Sequence, residues 1–162
     1  MPIDHLDSAQ LPTPSALLRA FTETDHPGRH RVLDAANGLA RCHDRRRLLL
    51  ETTSNVEART RCIDDIDNDR TALIARIDDW VATHIEHREG ASLHTETLGA
   101  VIDRMAAKWV AAQQALAAQT QTTPRQRERV THLQWCRLAE LTDGYRDLIT
   151  DVTEHRRRLP VW

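Results

Sequence analysis

Val56-Glu57-Ala58-Arg59-Thr60-Arg61-Cys62-Ile63-Asp64-Asp65-Ile66-Asp67-Asn68-Asp69-Arg70-Thr71-Ala72-Leu73-Ile74-Ala75-Arg76-Ile77-Asp78-Asp79-Trp80-Val81-Ala82-Thr83-His84-Ile85-Glu86 is the stretch whose reading decides the fold. Val56, Arg59, Ile63, Ile66, Arg70, Leu73, Ile77, Trp80 and His84 recur at alternating steps of three and four. Sustained spacing of that kind puts one seam along a long helix and packs the helix lengthwise on others. The polar run Thr52-Thr53-Ser54-Asn55 before it offers several good N-caps.

The same signals extend in both directions. Upstream, Thr13 as N-cap and Pro14 at the first helical position open a short helix whose apolar side is Leu17, Leu18 and Phe21. Asp25-His26-Pro27-Gly28 breaks the chain. A second helix is expected from about Arg29 to Leu50, with Val32, Ala36, Leu39, His43 and Leu50 on one stripe that Arg46 interrupts. Downstream, His87 to Glu96 reads as a loop containing Gly90, and Thr97 as the N-cap of a fourth helix. Its stripe is Leu98, Ile102, Met105, Trp109, Ala112 and Leu116, and the polar run Gln119 to Thr123 ends it. Pro124 fits the first turn of a fifth helix carrying Val130, Leu133, Leu138, Leu141, Tyr145, Leu148 and Val152. Arg156-Arg157-Arg158-Leu159-Pro160 stops that helix, where cations suit the C-terminal end of the dipole. Four long helices with short loops predict an all-α, antiparallel up-down bundle plus a short N-terminal helix. The 162 residues make one domain, with 1–12 expected as a flexible N-terminal segment.

Composition agrees. Hydrophobic residues are 40% and charged ones 28%, but aromatics only 4%, with one Phe, one Tyr and five Gly. A β protein needs more turn glycines and more aromatic strand residues. The core is therefore Leu, Ile, Val and Ala, with four Trp as large fillers. A formal charge of −2 gives no general drive toward nucleic acid. Three cysteines, Cys42, Cys62 and Cys136, with no Cys-x-x-Cys, argue against a disulfide framework and for a reducing compartment. The first fifteen residues lack the basic and apolar regions of a signal peptide, and no apolar run approaches the ~20 residues of a membrane span. The expectation is a cytoplasmic protein that binds neither membrane nor nucleic acid.

Several stretches resemble the motifs of Domain of Unknown Function 4254, a family of uncharacterised all-helical bacterial proteins. The similarity covers most of the chain from about His26 onward. Leu39-Ala40-Arg41-Cys42-His43-Asp44-Arg45-Arg46-Arg47 stands where relatives commonly read Leu-Trp-x-x-Glu-Asp-x-Ala-Arg; Leu39, Asp44 and Arg47 fit, while Ala40, His43 and Arg46 replace the Trp, Glu and Ala. On the third helix the Ile-Asp pairs and Arg70 fit the family pattern, and Thr71-Ala72 replaces its Asn-Asp. Leu93-His94-Thr95-Glu96-Thr97-Leu98-Gly99-Ala100-Val101-Ile102-Asp103-Arg104-Met105 fits best, with Leu98 where many relatives have Pro. Arg156-Arg157-Arg158-Leu159 resembles the family's basic tail. The resemblance implies an all-α fold and supplies no reaction.

Polar residues on apolar seams are the first candidates for a site, because burying them unpaired is costly. Arg70 sits midway along the third helix's seam, and His43 on the second helix's stripe. Together they can line a pocket for an anion, since a guanidinium presents a fixed fork of donors to carboxylate or phosphate. They can equally form a structural network inside the bundle. Asp67, three residues before Arg70, shares its side of the helix and can orient it. The turn Thr95-Glu96-Thr97 precedes a helix N-terminus, which welcomes an anion, although Glu96 can fill that role and Thr97 can simply cap. Asp103 and Arg104, further along, can tie the fourth helix to a neighbour by a salt bridge. His84, His87, Glu89 and His94 invite a metal check, but no Glu-x-x-His or Asp-x-x-His pair accompanies them, so no metal or cofactor is expected. His84, near a helix end, is expected to reach solvent. Arg45-Arg46-Arg47 and Arg156-Arg157-Arg158 read as solvated faces.

Without a catalytic constellation, the leading expectation is a binding or assembly module that forms a homo-oligomer, a dimer in the simplest case. The alternative is a small-ligand-binding protein or enzyme whose polar pocket, built on Arg70, His43, Asp67, Thr95, Glu96, Thr97 and Arg104, holds an anionic group.

Overall fold

The computed structural model describes residues 9–23, 30–118 and 122–161. Among them the chain forms α1 (Pro14–Thr22), α2 (Arg31–Thr52), α3 (Val56–His84), β1 (Ser92–Leu93), α4 (Leu98–Ala117), α5 (Pro124–Thr153) and β2 (Arg157–Arg158). The fold is all-α, as the periodicity predicts. The break at Asp25–Gly28 and most of the run from Gln119 lie outside the described residues.

Local chemistry sets the helix starts. Thr13, Asn55, Thr97 and Thr123 each accept a hydrogen bond from a backbone N–H three residues ahead, which satisfies an otherwise orphaned donor. Pro14 and Pro124 occupy first-turn positions where a missing N–H costs nothing. The cap of α2 is His30, whose Nδ1 accepts from Val32 N–H at 3.2 Å, so that helix begins at Arg31 and runs on to Thr52, slightly later at both ends than its stripe suggests.

α2 packs on α3 and α4, α3 on α4, and α4 on α5. Among the long helices α5 touches α4 alone, so the bundle is open on that side, and α1 bridges the gap by packing on α2, α4 and α5. The four long helices alternate in direction, so α2 and α4 run parallel, since His43 meets Asp103 and Glu51 meets Gln114. The core is Leu17, Leu39, Ile77, Ile102, Met105 and Tyr145 with their apolar neighbours. Of the N-terminal segment 1–12, residues 1–8 fall outside the described residues, while Gln10 and Pro12 are tied to the bundle. The Gln10 carbonyl accepts from His30 Nε2 at 3.0 Å and the Pro12 carbonyl from the Tyr145 hydroxyl at 2.7 Å.

Two features depart from the sequence reading. The loop before α4 is not irregular throughout: Ser92 and Leu93 pair in parallel with Arg157 and Arg158, with His94 N–H donating to the Arg158 carbonyl at 2.9 Å. Part of the basic tail is therefore a strand. Second, the apolar stripes outrun the core. Leu48, Leu50, Val56, Leu116, Val130 and Leu133 are all exposed, and they gather at one end, where α2 and α4 finish and α3 and α5 begin. No residue is buried in 43–52 of α2, 56–65 of α3, 113–117 of α4 or 124–137 of α5. At 1.5 Å per residue the α5 portion alone reaches ~21 Å beyond the core.

Candidate functional site

At the inner edge of that coreless end, four charged side chains and a histidine from three helices meet. α2 contributes His43 and Arg46, α3 contributes Asp67 and Arg70, and α4 contributes Asp103. Each stands on or beside its helix's apolar seam, which turns it inward; the seam position is what Arg46, His43 and Arg70 have in common. Asp103 is the hub. It accepts from Arg70 through both oxygens, Nε to Oδ1 at 3.2 Å and Nη2 to Oδ2 at 2.6 Å, and from His43 Nε2 at 2.8 Å. Arg70 Nη1 reaches back one turn to Asp67 Oδ1 at 3.0 Å. Arg46 Nη1 donates to both oxygens of Asp67, at 2.6 and 2.9 Å.

The side chains of His43 and Asp103 are each 13% exposed and that of Arg70 is 24% exposed, so charge here is largely desolvated. Burial alone would raise the Asp103 carboxyl. The hydrogen bonds from His43 and Arg70 outweigh it and hold the group down at about 2. The hydrogen bond from Arg46, assisted by Arg70, lowers Asp67 in spite of some desolvation, and the bond to Asp103 raises Arg70. Cys42 is buried beside this cluster and burial pushes its thiol up, the reverse of what a nucleophilic thiolate needs.

A closed cluster of ion pairs lies next along α2. Arg47 Nε and Nη2 donate to Asp44 Oδ1, and its Nη1 to Glu51 Oε2 at 3.0 Å; Gln114 of α4 donates to the other Glu51 oxygen at 2.9 Å. Between the two clusters, α2 and α4 border an open groove of about 400 Å³.

The start of α4 is a separate place. Thr97 caps the helix, its Oγ1 accepting from Ala100 N–H at 3.2 Å. The second free donor, Gly99 N–H, is taken by Asp78 Oδ1 of α3 at 2.8 Å. Burial pushes the Asp78 carboxyl up, against the opposing pull of the Gly99 and Thr97 donors. The helix N-terminus thus already holds an anion, supplied by the chain itself. Glu96 pairs with Arg104, and Thr95 is exposed. The sequence-predicted residues therefore divide in two: His43, Asp67 and Arg70 converge, while Thr95, Glu96, Thr97 and Arg104 form a capping group around the first turns of α4. Asp78 had no sequence signal as a plug. Gly99 offered a faint one, for a Cβ there would lie 2.7 Å from the Ile74 carbonyl and 2.8 Å from Asp78 Oδ1.

The histidines at the end of α3 and in the loop after it do not assemble either. His84 is exposed, stacks on Trp80 with ring centroids 4.8 Å apart, and its Nδ1 bonds the Trp80 carbonyl. His94 Nδ1 accepts from Glu96 N–H at 3.2 Å. Among the described residues no group of three or more His, Cys, Asp or Glu side chains is arranged to hold a metal ion, and no helix is long and apolar enough to cross a membrane.

A family model described as a protein of unknown function, DUF4254, matches residues 38–161. No curated protein and no solved structure matches the chain.

Proposed function

The chain belongs to DUF4254, a family described as of unknown function, and we propose from its geometry that it is a helical assembly module that pairs with a second copy of itself. The observation that carries this reading is the coreless end. Four helices run on side by side there with no buried residue, while six large apolar side chains stand exposed: Leu48, Leu50, Val56, Leu116, Val130 and Leu133. A concentration of exposed apolar residues of this kind marks an interaction surface.

Charge favours a copy of the same chain as the partner. Residues 124–137 of α5 carry four arginines against one glutamate, and residues 56–69 of α3 carry five acidic residues against two arginines. α3 and α5 do not touch within the chain. In a two-fold dimer the basic face of α5 meets the acidic face of α3 of the other copy, twice over, as an isologous interface requires.

Sedimentation equilibrium tests the reading. The wild-type chain is expected to associate reversibly to twice its mass, more weakly as salt rises. The variant Val130→Glu/Leu133→Glu, altered only at exposed positions, is expected to stay folded and monomeric. A wild-type chain that remains monomeric at every concentration overturns the proposal.

The alternative, a pocket in which Arg70 and His43 hold an anion, has less in its favour. Arg70 Nε, Nη1 and Nη2 are each engaged by a carboxylate of the chain, and His43 bonds the same Asp103 that Arg70 does.

A further inference from the structure

We propose that a second pocket, formed by α1, α2 and α4, binds a small aromatic carboxylate, with Arg41 pairing the carboxyl group and Trp109 and Phe21 packing on the ring. The pocket holds about 350 Å³, within the ~300–1,000 Å³ of small-ligand sites. Every residue that lines it belongs to one chain, so the site does not depend on the pairing of two copies.

The inner part of the pocket is apolar. Phe21 of α1 and Ala40 of α2 are buried there, and Trp109 and Val110 of α4 supply the adjoining wall. The Trp109 ring is held by two others: its centroid lies 6.3 Å from that of Phe21 and 6.0 Å from that of Trp135 on α5, the second contact edge-on. A ring fixed in this way offers a planar ligand a prepared surface at little cost in side-chain freedom.

Charge decides between ligand classes. The lining carries two guanidiniums, Arg41 and Arg47, against one carboxylate, Asp44. Arg47 is already committed: it donates to Asp44 and, outside the lining, to Glu51. Arg41 is exposed at the rim and makes no hydrogen bond or ion pair among the described residues. A guanidinium stays protonated in proteins, so this free charge does not turn on a titration. Its fork of donors matches the two oxygens of a carboxylate, and the exposed amide of Gln113, in the α4 wall of the same pocket, can donate as well. An amine would be repelled by the surplus charge, and a neutral ring would leave Arg41 without its partner.

Three probes of one shape separate the possibilities: 2-naphthoate, 2-naphthylmethanol and 2-naphthylmethylamine. Each is titrated into isotopically labelled protein while the indole N–H of Trp109 and the amides of Ala40 and Ala117 are followed by NMR. Naphthoate is expected to shift these signals saturably, with a dissociation constant on the order of 1 mM for so small a ligand. The alcohol should bind more weakly and the amine most weakly. Arg41→Gln alters an exposed side chain, so it is expected to stay folded; it should weaken naphthoate about ten-fold, one charge-assisted hydrogen bond, and leave the alcohol unchanged. That difference between two ligands is a readout that a merely structural role of Arg41 would not give. No saturable shift with naphthoate, alcohol or amine binding as tight as naphthoate, an unchanged naphthoate affinity in Arg41→Gln, or an equal loss for naphthoate and alcohol overturns the assignment.

Discussion

Replacing Arg70 by leucine tests whether the five-residue cluster holds the three helices together. The substitution removes both bonds to Asp103 and the bond to Asp67 at once. Breaking a buried ion pair by deleting one member costs ~3–5 kcal/mol, because the other charge is left desolvated. Two facts pull the figure to the lower end. The Arg70 side chain is 24% exposed, and Asp103 keeps the bond from His43. The expected loss is therefore about 3 kcal/mol. In a chain of this size each kcal/mol moves the thermal midpoint by ~2–4 °C, so Tm should fall by about 6–12 °C. Circular dichroism at fixed protein concentration measures it, since association would otherwise move the midpoint as well. Combining Arg70→Leu with Asp103→Asn should cost less than the sum of the two single changes, by about 2 kcal/mol, because the carboxylate left stranded by the first is neutralised by the second. A fall in Tm of under ~2 °C, a rise, or strict additivity refutes the structural role of the cluster. A rise in particular is the signature of a strained binding site and would restore the anion-pocket reading of Arg70.

Three further outcomes follow from particular contacts. Gly99→Ala places a methyl group 2.7 Å from the Ile74 backbone oxygen and 2.8 Å from Asp78 Oδ1, so α4 must shift off α3; differential scanning calorimetry should show a loss of about 1–3 kcal/mol, and an unchanged Tm would mean the two helices are not so close. Tyr145→Phe leaves the buried Pro12 carbonyl without its donor and should cost ~1–3 kcal/mol by urea denaturation, with no cost if water replaces the hydroxyl. For pH, the carboxyl of Asp103 is held at about 2 in the folded state and titrates near ~3.9 in the unfolded chain. Its stabilising contribution, about 2.5 kcal/mol, is fully present above pH ~4 and lost as pH falls from there toward 2. Asp103→Asn should therefore be less stable than wild type at pH 6 and nearly level with it near pH 2, as read by urea midpoints; a constant gap across that range would contradict the shift.

The caps show what a sequence can say about its own fold. Thr13, Asn55, Thr97 and Thr123 are legible because a cap is a local arrangement: the acceptor and the donor it satisfies lie three residues apart in the chain. The inward direction of Arg70 and His43 is legible for a related reason, since helical period alone sets which residues share a face. What they touch is another matter. Asp103 was foreseeable only as a carboxylate able to form some salt bridge, while its partners come from helices 33 and 60 residues away. Asp78 is one acid among many on α3 until Gly99, 21 residues on, brings its N–H against it. The pairing of Ser92–Leu93 with Arg157–Arg158 uses backbone groups, which carry no side-chain pattern at all.

The open end is the clearest case of period without context. Val130 and Leu133 continue the stripe that buries Leu138, Tyr145 and Leu148, yet they are 49% and 47% exposed. A stripe tells which face of a helix is apolar. It does not tell whether the covering surface comes from the same chain or from another.

Two cysteines allow that question to be put directly. Cys62 on α3 and Cys136 on α5 are exposed, free and near the coreless end, whereas Cys42 is buried. Brief treatment of the native protein with a short bismaleimide, followed by denaturing electrophoresis and peptide mapping, reads which thiols face each other across the pair. The account predicts a covalent dimer linked from Cys62 of one copy to Cys136 of the other, lost in Val130→Glu/Leu133→Glu. A chain that stays at monomer mass at concentrations where both thiols react would contradict it.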